Sequence, residues 1–233
     1  MKLLSKLGNF GKRLFPSRYE TSQMLTNYIV AQWGHYIVDN PQYISEDFYA
    51  EIIKEAKKYI QADSVVLDVG CATGRLVFEY EKLGVRSVVG IDASSKLIDF
   101  CKRVQNKQAR EISYSFDSRV STFIEGDVAV INFKQLFYFI SCINVIDRIE
   151  NPILLVNKCA DLLKKGGVAL FVSPYDWDFS PAPEYFHVSD MKNLFDLKSW
   201  EIIEEKWLPL NMPIEKTAKL YNCHLVVARK IFC

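Results

Sequence analysis

The stretch from residue 64 to residue 92 constrains the fold more than any other part of the chain. It begins with a β-branched apolar run over residues 64–69, which predicts a buried strand. A turn bounded by glycines, residues 70–74, opens a helical pattern, and a second β-branched run over residues 85–91 ends in Asp92. Strand, tight turn, helix, strand and acid in this order are typical of the first βαβ unit of a nucleoside-binding α/β domain.

The spacing of the turn indicates the chemistry of its ligand. Gly70 and Gly74 let the main chain turn sharply and present its N–H groups to a carboxylate or a phosphate. Asp92, at the end of the second strand, can accept both hydroxyls of a ribose. Asp68 lies before the turn, where it would repel a pyrophosphate but could pair with an ammonium group. An amino acid joined to a nucleoside meets these requirements, and S-adenosylmethionine (SAM) is such a molecule.

The composition limits the class of function. A chain of 233 residues suffices for one α/β domain, and we expect a single domain over residues 19–233 after a basic arm at residues 1–18. The 29 basic residues nearly balance the 28 acidic ones, which argues against a nucleic-acid partner. No apolar run is long enough for stable membrane insertion. The six cysteines form no C-x-x-C pair, which favours a cytoplasmic location, and three scattered histidines argue against a metal site.

The remaining patterns predict two N-terminal helices and five further strands. The helical patterns cover residues 19–38 and 45–60, and a shorter one covers residues 188–195. The strands are expected at residues 122–128, 137–142, 168–172, 202–208 and 224–228. We therefore expect an α/β fold, and the sequence carries no signal for an oligomeric state.

The segment LDVGCATG at residues 67–74, together with Asp92, resembles the first two motifs of the class I SAM-dependent methyltransferases. The resemblance implies a Rossmann-like, seven-stranded, mostly parallel sheet with an antiparallel last strand, with lid helices at residues 19–61 and SAM as the cofactor. It also implies that the acid after the third strand, Asp127, binds the adenine amino group. The implied cofactor-binding set is Asp68, Gly70, Cys71, Ala72, Gly74, Asp92, Ala93, Asp127, Val128 and Asn144.

Polar residues after the fourth and fifth strands are the candidates for catalysis. Asn144 follows the fourth strand, at the edge where open α/β sheets place their chemistry, and Tyr175 follows the fifth in a proline turn. Our hypothesis is that Asn144 and Tyr175 position the methyl acceptor, with Asp147 as a third candidate. Asp147 could instead pair with Arg148 on the surface. The substrate or lid wall would comprise Tyr19, Tyr28, Trp33 and Trp177, although such aromatic side chains could equally pack on the sheet.

A narrower resemblance involves YET at residues 19–21, NVIDR at 144–148, NP at 151–152, SPYDW at 173–177 and ARK at 228–230. Together these segments resemble the C-terminal 4-mercaptohistidine N1-methyltransferase domain of ovothiol-synthesis enzymes. The resemblance implies a small-molecule acceptor, an imidazole or thiol amino-acid derivative. A neutral imidazole or a thiolate already carries its lone pair, so methyl transfer to it requires no strong general base.

Two other functions remain open at this point. The segment after SPYDW is shorter than in the ovothiol enzymes, so the chain could instead resemble small SAM-cyclising enzymes, which make azetidine-2-carboxylate and methylthioadenosine from SAM alone. A non-catalytic SAM-binding partner subunit is the third possibility. Methylation of nucleic acid is disfavoured because residues 144–147 lack the N/D-P-P-Y/F arrangement that holds a flipped base.

Overall fold

One seven-stranded sheet organises the molecule. The computed structural model describes residues 19–37, 48–114, 116–177, 180–214 and 217–231. Its strand order is β3-β2-β1-β4-β5-β7-β6. The strands are β1 (Val65–Val69), β2 (Ser87–Asp92), β3 (Ser121–Glu125), β4 (Phe137–Ile143), β5 (Leu163–Ser173), β6 (Trp200–Ile214) and β7 (Thr217–Lys230). Strands β1 to β5 are parallel, and β7 pairs antiparallel with both β5 and β6. The predicted mostly parallel sheet with an antiparallel last strand is confirmed.

Within the residues that the structure describes, five α-helices flank the sheet, and their ends follow local signals. They are α1 (Ser22–Trp33), α2 (Phe48–Ala56), α3 (Arg75–Glu81), α4 (Ser95–Gln105) and α5 (Pro152–Leu162). The side chains of Thr21, Ser94 and Asn151 cap α1, α4 and α5 by accepting a backbone N–H of the first turn. Within the described ranges, no helix has both the length and the apolar character needed to cross a membrane.

The two faces of the sheet carry separate apolar cores. Successive residues of a strand point to opposite faces, so Val66 of β1 belongs to one core and Leu67 to the other. We call the first face the α1 face, because α1 to α4 pack on it. The second is the α5 face, covered by α5 and by the 3₁₀ turn Met191–Leu194. The N-terminal helices therefore lie on one side of the sheet only.

The C-terminal region differs most from the prediction. The helix expected at residues 188–195 is only the 3₁₀ turn Met191–Leu194. Strands β6 and β7 extend well beyond residues 202–208 and 224–228, because they continue as a hairpin in which Pro209 pairs with Asn222. A proline is tolerated there since β6 is the edge strand of the sheet. The basic arm at residues 1–18 and the start of the second predicted helix lie outside the described residues.

Candidate functional site

The sheet order brings the predicted site residues to one edge. Strand β1 lies between β2 and β4, and β5 follows β4, so the carboxyl ends of these parallel strands are neighbours. We call this edge the rim. Its cofactor side consists of the turn at residues 70–74 and Asp92, after β1 and β2. Its acceptor side consists of residues 144–148 and 173–177, at the ends of β4 and β5, together with the part of the β6–β7 hairpin that contacts them.

The cofactor side is held together by main-chain hydrogen bonds. The turn uses left-handed backbone at Gly70 (φ 68°), Ala72 (φ 49°) and Gly74 (φ 82°). Asp92 Oδ2 accepts the Ala72 N–H at 2.9 Å, and its Oδ1 accepts the Ser94 N–H at 2.9 Å. Burial raises the pKa of Asp92, and these N–H groups oppose the shift. Each carboxylate oxygen keeps a lone pair for a ligand hydroxyl.

Asp68 lies beneath the turn, on the α1 face of β1. It is 2% exposed, and its Oδ1 accepts the Ser141 hydroxyl at 2.6 Å. Burial, followed by the proximity of Asp92, raises the pKa of Asp68 to about 7. The side chain therefore forms part of the floor of the cofactor side rather than its surface.

The two sides of the rim touch at Gly70. A Cβ at this position would lie 2.3 Å from the Val145 Cγ2, so only glycine allows the acceptor side to pack this closely. Gly74 is similarly enclosed, since its Cβ would lie 2.8 Å from the Cys101 Sγ. Cys71, inside the turn, is 1% exposed, and burial raises the pKa of its thiol. The turn is thus packed from both directions.

Helix α1 clamps the turn through a residue that the sequence analysis missed. The buried Gln32 accepts the Thr73 hydroxyl at 2.5 Å and the Arg75 N–H at 3.4 Å, and its amide donates to the Cys71 carbonyl at 3.4 Å. Trp33 donates its indole N–H to the Thr73 carbonyl at 3.3 Å. A glutamine within a helical pattern gives no signal of such a contact, because the contact joins residues about 40 positions apart.

Trp33 lies in the core rather than in a substrate wall. Its side chain is fully buried, with aromatic rings of Phe78 and Tyr114 at 6.0 and 4.8 Å. Tyr19 and Tyr28 are half-buried, and their rings are 6.2 Å apart. Burial raises the pKa of Tyr28, with smaller effects from Tyr19, Asp92 and Arg148. Trp33 therefore anchors α1 in the core, whereas Tyr28 stays partly exposed beside Tyr19.

The third strand contributes less than the resemblance implied. Asp127 is exposed, and its Oδ1 accepts the Ala129 N–H at 2.8 Å, as in an ordinary Asx turn. Val128 is buried at 8% exposure, and Ala93 is exposed beside Asp92. These residues border the cofactor side, and nothing else in their geometry distinguishes them.

The acceptor side contains two buried oxygens without hydrogen-bond partners in the described part of the chain. Asn144 has left-handed backbone (φ 56°), and its Oδ1 is one of them. The other is Asp147 Oδ1, on a side chain with 0% exposure, while Asp147 Oδ2 accepts the Asp176 N–H at 3.1 Å. Burial raises the pKa of Asp147, and Arg148 opposes the shift. Asp147 is therefore an interior residue, and it does pair with Arg148, whose Nη2 lies 3.5 Å from Asp147 Oδ2, although the pair is largely buried rather than on the surface.

Asp176 is the second residue that the sequence analysis missed. Its carboxylate accepts hydrogen bonds from Arg148 Nη2 at 2.9 Å, Lys219 Nζ at 3.2 Å and the Tyr221 hydroxyl at 2.9 Å. Burial alone would raise the pKa of Asp176, but these donors outweigh it and lower the pKa. Asp176 thereby joins three segments of the acceptor side, the last of which is the β6–β7 hairpin. An acid after a proline turn was visible in SPYDW, but its partners were not.

Tyr175 and Trp177 pack against the core of the α5 face. The Tyr175 hydroxyl lies 2.5 Å from His224 Nδ1 and accepts the Met191 N–H at 2.6 Å, on the α5 face. Trp177 donates to the Val188 carbonyl at 3.0 Å and also packs against the core of that face. The structure thus places Tyr175 and Trp177 on the α5 face, whereas Trp33 lies on the α1 face.

The donor set of the rim fits SAM. A strained glycine turn at a helix N-terminus, a carboxylate with spare lone pairs and an amide with an unpaired oxygen meet at three adjacent strand ends. In the ranges that the structure covers, no three His, Cys, Asp or Glu side chains are grouped so that they could hold a metal ion.

Comparison with known proteins gives the family. A family model described as a methyltransferase domain matches residues 42–209, which is most of the chain. The chain belongs to the class I SAM-dependent methyltransferases. SAM is the cofactor of this family, so the predicted cofactor is confirmed at the level of the family.

Individual relatives resemble only part of this methyltransferase. The ubiquinone biosynthesis O-methyltransferase of Actinobacillus pleuropneumoniae serotype 7 is 32% identical over 109 residues, covering 46% of this chain and 44% of the relative. The enzyme of the same name from Coxiella burnetii (strain Dugway 5J108-111) is 32% identical over 107 residues, covering 46% and 42%. The chain thus spans less than half the length of these curated relatives.

Solved structures share the fold of this methyltransferase at low sequence identity. The N-methyltransferase NodS from Bradyrhizobium japonicum WM9, in complex with S-adenosyl-L-homocysteine, has a TM-score of 0.56 at 17% identity, covering 84% of this chain and 95% of NodS. TehB from Haemophilus influenzae has a TM-score of 0.57 at 19% identity, covering 81% and 64%. These likenesses support the architecture and say nothing of the acceptor.

Proposed function

We propose that this protein transfers a methyl group from SAM to a small-molecule acceptor, an imidazole- or thiol-bearing amino-acid derivative. The observation that carries the proposal is the junction of the two sides of the rim. There the glycine turn and Asp92 lie against residues 144–148, whose Asn144 offers an unpaired buried oxygen. SAM supplies the activated methyl group, and the chain's own residues bind, orient and exclude water.

On the cofactor side, each group has one task. Asp92 receives the ribose hydroxyls, because both of its oxygens are already oriented by backbone N–H groups. The turn at residues 70–74 receives the methionine end, with Asp68 as the acid below it. Asp127 receives the adenine amino group through the oxygen that Ala129 leaves free. Tyr19 and Tyr28 shelter the sulfonium by cation–π attraction.

On the acceptor side, the unpaired oxygens favour an imidazole over a thiol. Asn144 Oδ1 and Asp147 Oδ1 are buried hydrogen-bond acceptors that need a donor. A neutral imidazole donates one N–H and keeps a lone pair on its other nitrogen, so the same contact that binds the ring also orients the nucleophile. A thiolate has no proton to donate and would leave both oxygens unpaired.

An incubation with and without an acceptor tests the activity. The protein is mixed with SAM alone, or with SAM and histidine, 4-mercaptohistidine or imidazole, and the nucleoside product is read by mass spectrometry. We expect S-adenosylhomocysteine only where an acceptor is present. Methylthioadenosine from SAM alone would overturn the proposal in favour of SAM cyclisation. Tight SAM binding without any product would favour a non-catalytic SAM-binding subunit.

A binding measurement tests the cofactor side separately. Asp92→Ala should weaken SAM binding at least tenfold in calorimetry, because the ribose loses its acceptor. Asp117→Ala is the matched control, since the Asp117 side chain is 68% exposed and forms an ion pair with Lys107, away from the rim. Equal SAM affinity in the two variants would contradict the assigned role of Asp92.

A further inference from the structure

A chain of polar contacts lies behind the acceptor side, on the α5 face. The Tyr175 hydroxyl accepts the Met191 N–H at 2.6 Å and lies 2.5 Å from His224 Nδ1. His224 is 2% exposed, and its ring stacks on Trp207 at 4.6 Å with an interplanar angle of 15°. The side chains of Tyr175 and His224 thus lie on the α5 face and not on the α1 face of the sheet.

The direction of the Tyr175–His224 hydrogen bond follows from the surroundings of the ring. His224 Nε2 has no hydrogen-bond partner among the described residues, and Glu205 Oε1 lies 3.9 Å away. An unprotonated Nε2 would direct its lone pair at this carboxylate, which is unfavourable. A protonated Nε2 directs its N–H at the carboxylate, which is favourable. The imidazole proton is therefore on Nε2, and Nδ1 accepts the proton of the Tyr175 hydroxyl.

Tyr175 is also the point at which the chain turns between the two faces. Its backbone is left-handed (φ 56°), a conformation that a non-glycine residue keeps only when its surroundings hold it. Its own side chain packs on the α5 face. The next side chain, Asp176, contacts Tyr221, which packs on the α1 face. The contacts of the Tyr175 hydroxyl thus hold the turn that aims Asp176 at the acceptor side.

We propose that His224 is a positioning residue for methyl transfer. By accepting the Tyr175 hydroxyl, His224 fixes the turn after β5, and the turn fixes Asp176. The Asp176 carboxylate accepts a hydrogen bond from Arg148 Nη2 at 2.9 Å, and the backbone N–H of Asp176 donates to Asp147 Oδ2 at 3.1 Å. The inference rests on the proposed function, because Asp147 matters to turnover only if an acceptor binds beside it. In this arrangement Tyr175 acts through Asp176 and does not contact the acceptor.

The arrangement depends on a neutral His224. Protonation would place a second donor opposite the Tyr175 hydroxyl and remove the acceptor from Nδ1. The charged groups that face the ring are Glu205 of β6 and Asp190 and Lys192 beside the turn Met191–Leu194. Burial lowers the pKa of His224 below its ordinary value of 6.5, while the two acids oppose the shift. We therefore expect turnover at saturating SAM to fall on the acid side of that value.

A double-mutant cycle tests the coupling. Tyr175→Phe and His224→Leu should each lower kcat for the methyl acceptor about tenfold without changing SAM affinity, and the double variant should lose no more than either alone. His224→Asn keeps an oxygen that can accept the Tyr175 proton, so it should restore part of kcat. His187→Leu is the control, because the described contacts of the His187 ring are with the Ala182 carbonyl and Trp177 and do not include Tyr175.

Amide hydrogen exchange provides a measurement that does not need turnover. In His224→Leu, exchange at residues 144–148 and 175–177 should be at least tenfold faster, with residues 70–74 unchanged. The proposal would be overturned if the losses of kcat in the two single variants multiplied in the double variant. Unchanged amide exchange in His224→Leu would also overturn it. A full loss of kcat in Tyr175→Phe, with no loss of kcat in His224→Leu, would also overturn the proposal. It would indicate direct contact between Tyr175 and the acceptor. If the wild type turns over no acceptor, the proposed function fails, and exchange still decides the role of His224.

Discussion

The two sides of the rim are built by different kinds of contact. The cofactor side is formed within residues 68–94 by main-chain N–H groups, left-handed turn residues and one carboxylate. The acceptor side is assembled from β4, β5 and the β6–β7 hairpin by side chains that meet on Asp176. In the proposed function, local backbone geometry therefore binds SAM, while side chains drawn from distant segments bind the methyl acceptor.

The largest effect should come from the point where the two sides touch. Gly70→Ala places a methyl group 2.3 Å from Val145 Cγ2 on left-handed backbone (φ 68°), so it should cost about 3 kcal/mol of stability. Gly84→Ala is the matched control, because Gly84 has a similar φ of 78° with no atom within 4 Å. Urea unfolding and SAM binding of both variants would measure the difference. Equal destabilisation would mean that backbone strain, and not the contact with Val145, requires the glycine.

The next effect should be confined to the acceptor side. Asp176→Asn keeps the shape but weakens three charge-assisted or polar hydrogen bonds, so kcat/KM for the acceptor should fall about thirtyfold. SAM affinity should stay within twofold, because the contacts of Asp176 among the described residues are with Asp147, Arg148, Lys219 and Tyr221, all outside the cofactor side. Glu201→Gln is the control, since it breaks an exposed pair with Arg229. A parallel loss of SAM affinity would show that the two sides are not separable.

This contrast also explains what the sequence could predict. The turn at residues 70–74, Asp92 and the positions of the first five strands along the chain follow from local spacing and β-branched runs, and the structure contains them. The contacts of Gln32 with the turn and of Asp176 with the hairpin join residues about 40 positions apart, so no local pattern reveals them. Asn144 was predictable as a strand-end residue. The turning of Tyr175 to the α5 face was not, because it depends on one left-handed residue.

The clamp from α1 gives a smaller, cofactor-side effect. Gln32→Leu leaves the Thr73 hydroxyl and the Arg75 N–H without their acceptor and frees the Cys71 carbonyl, so SAM should bind about tenfold more weakly. Turnover at saturating SAM should change little, because the acceptor side is untouched. Gln23→Leu, on the exposed side of the same helix, is the control, since Gln23 bonds only Asn27. A loss in kcat with unchanged SAM affinity would place Gln32 in the chemistry of the acceptor instead.

The smallest effect should come from the outer edge of the acceptor side. Lys219 is 42% exposed, and its ion pair with Asp176 is screened by solvent. Lys219→Gln should therefore lower kcat/KM for the acceptor only about twofold, and 0.5 M salt should reduce the wild type to a similar degree. Arg148 and Tyr221 remain to hold Asp176, so the carboxylate keeps its place. A loss of kcat/KM as large as that of Asp176→Asn, and insensitive to salt, would mean that Lys219 itself contacts the acceptor. The β6–β7 hairpin would then contribute directly to acceptor recognition.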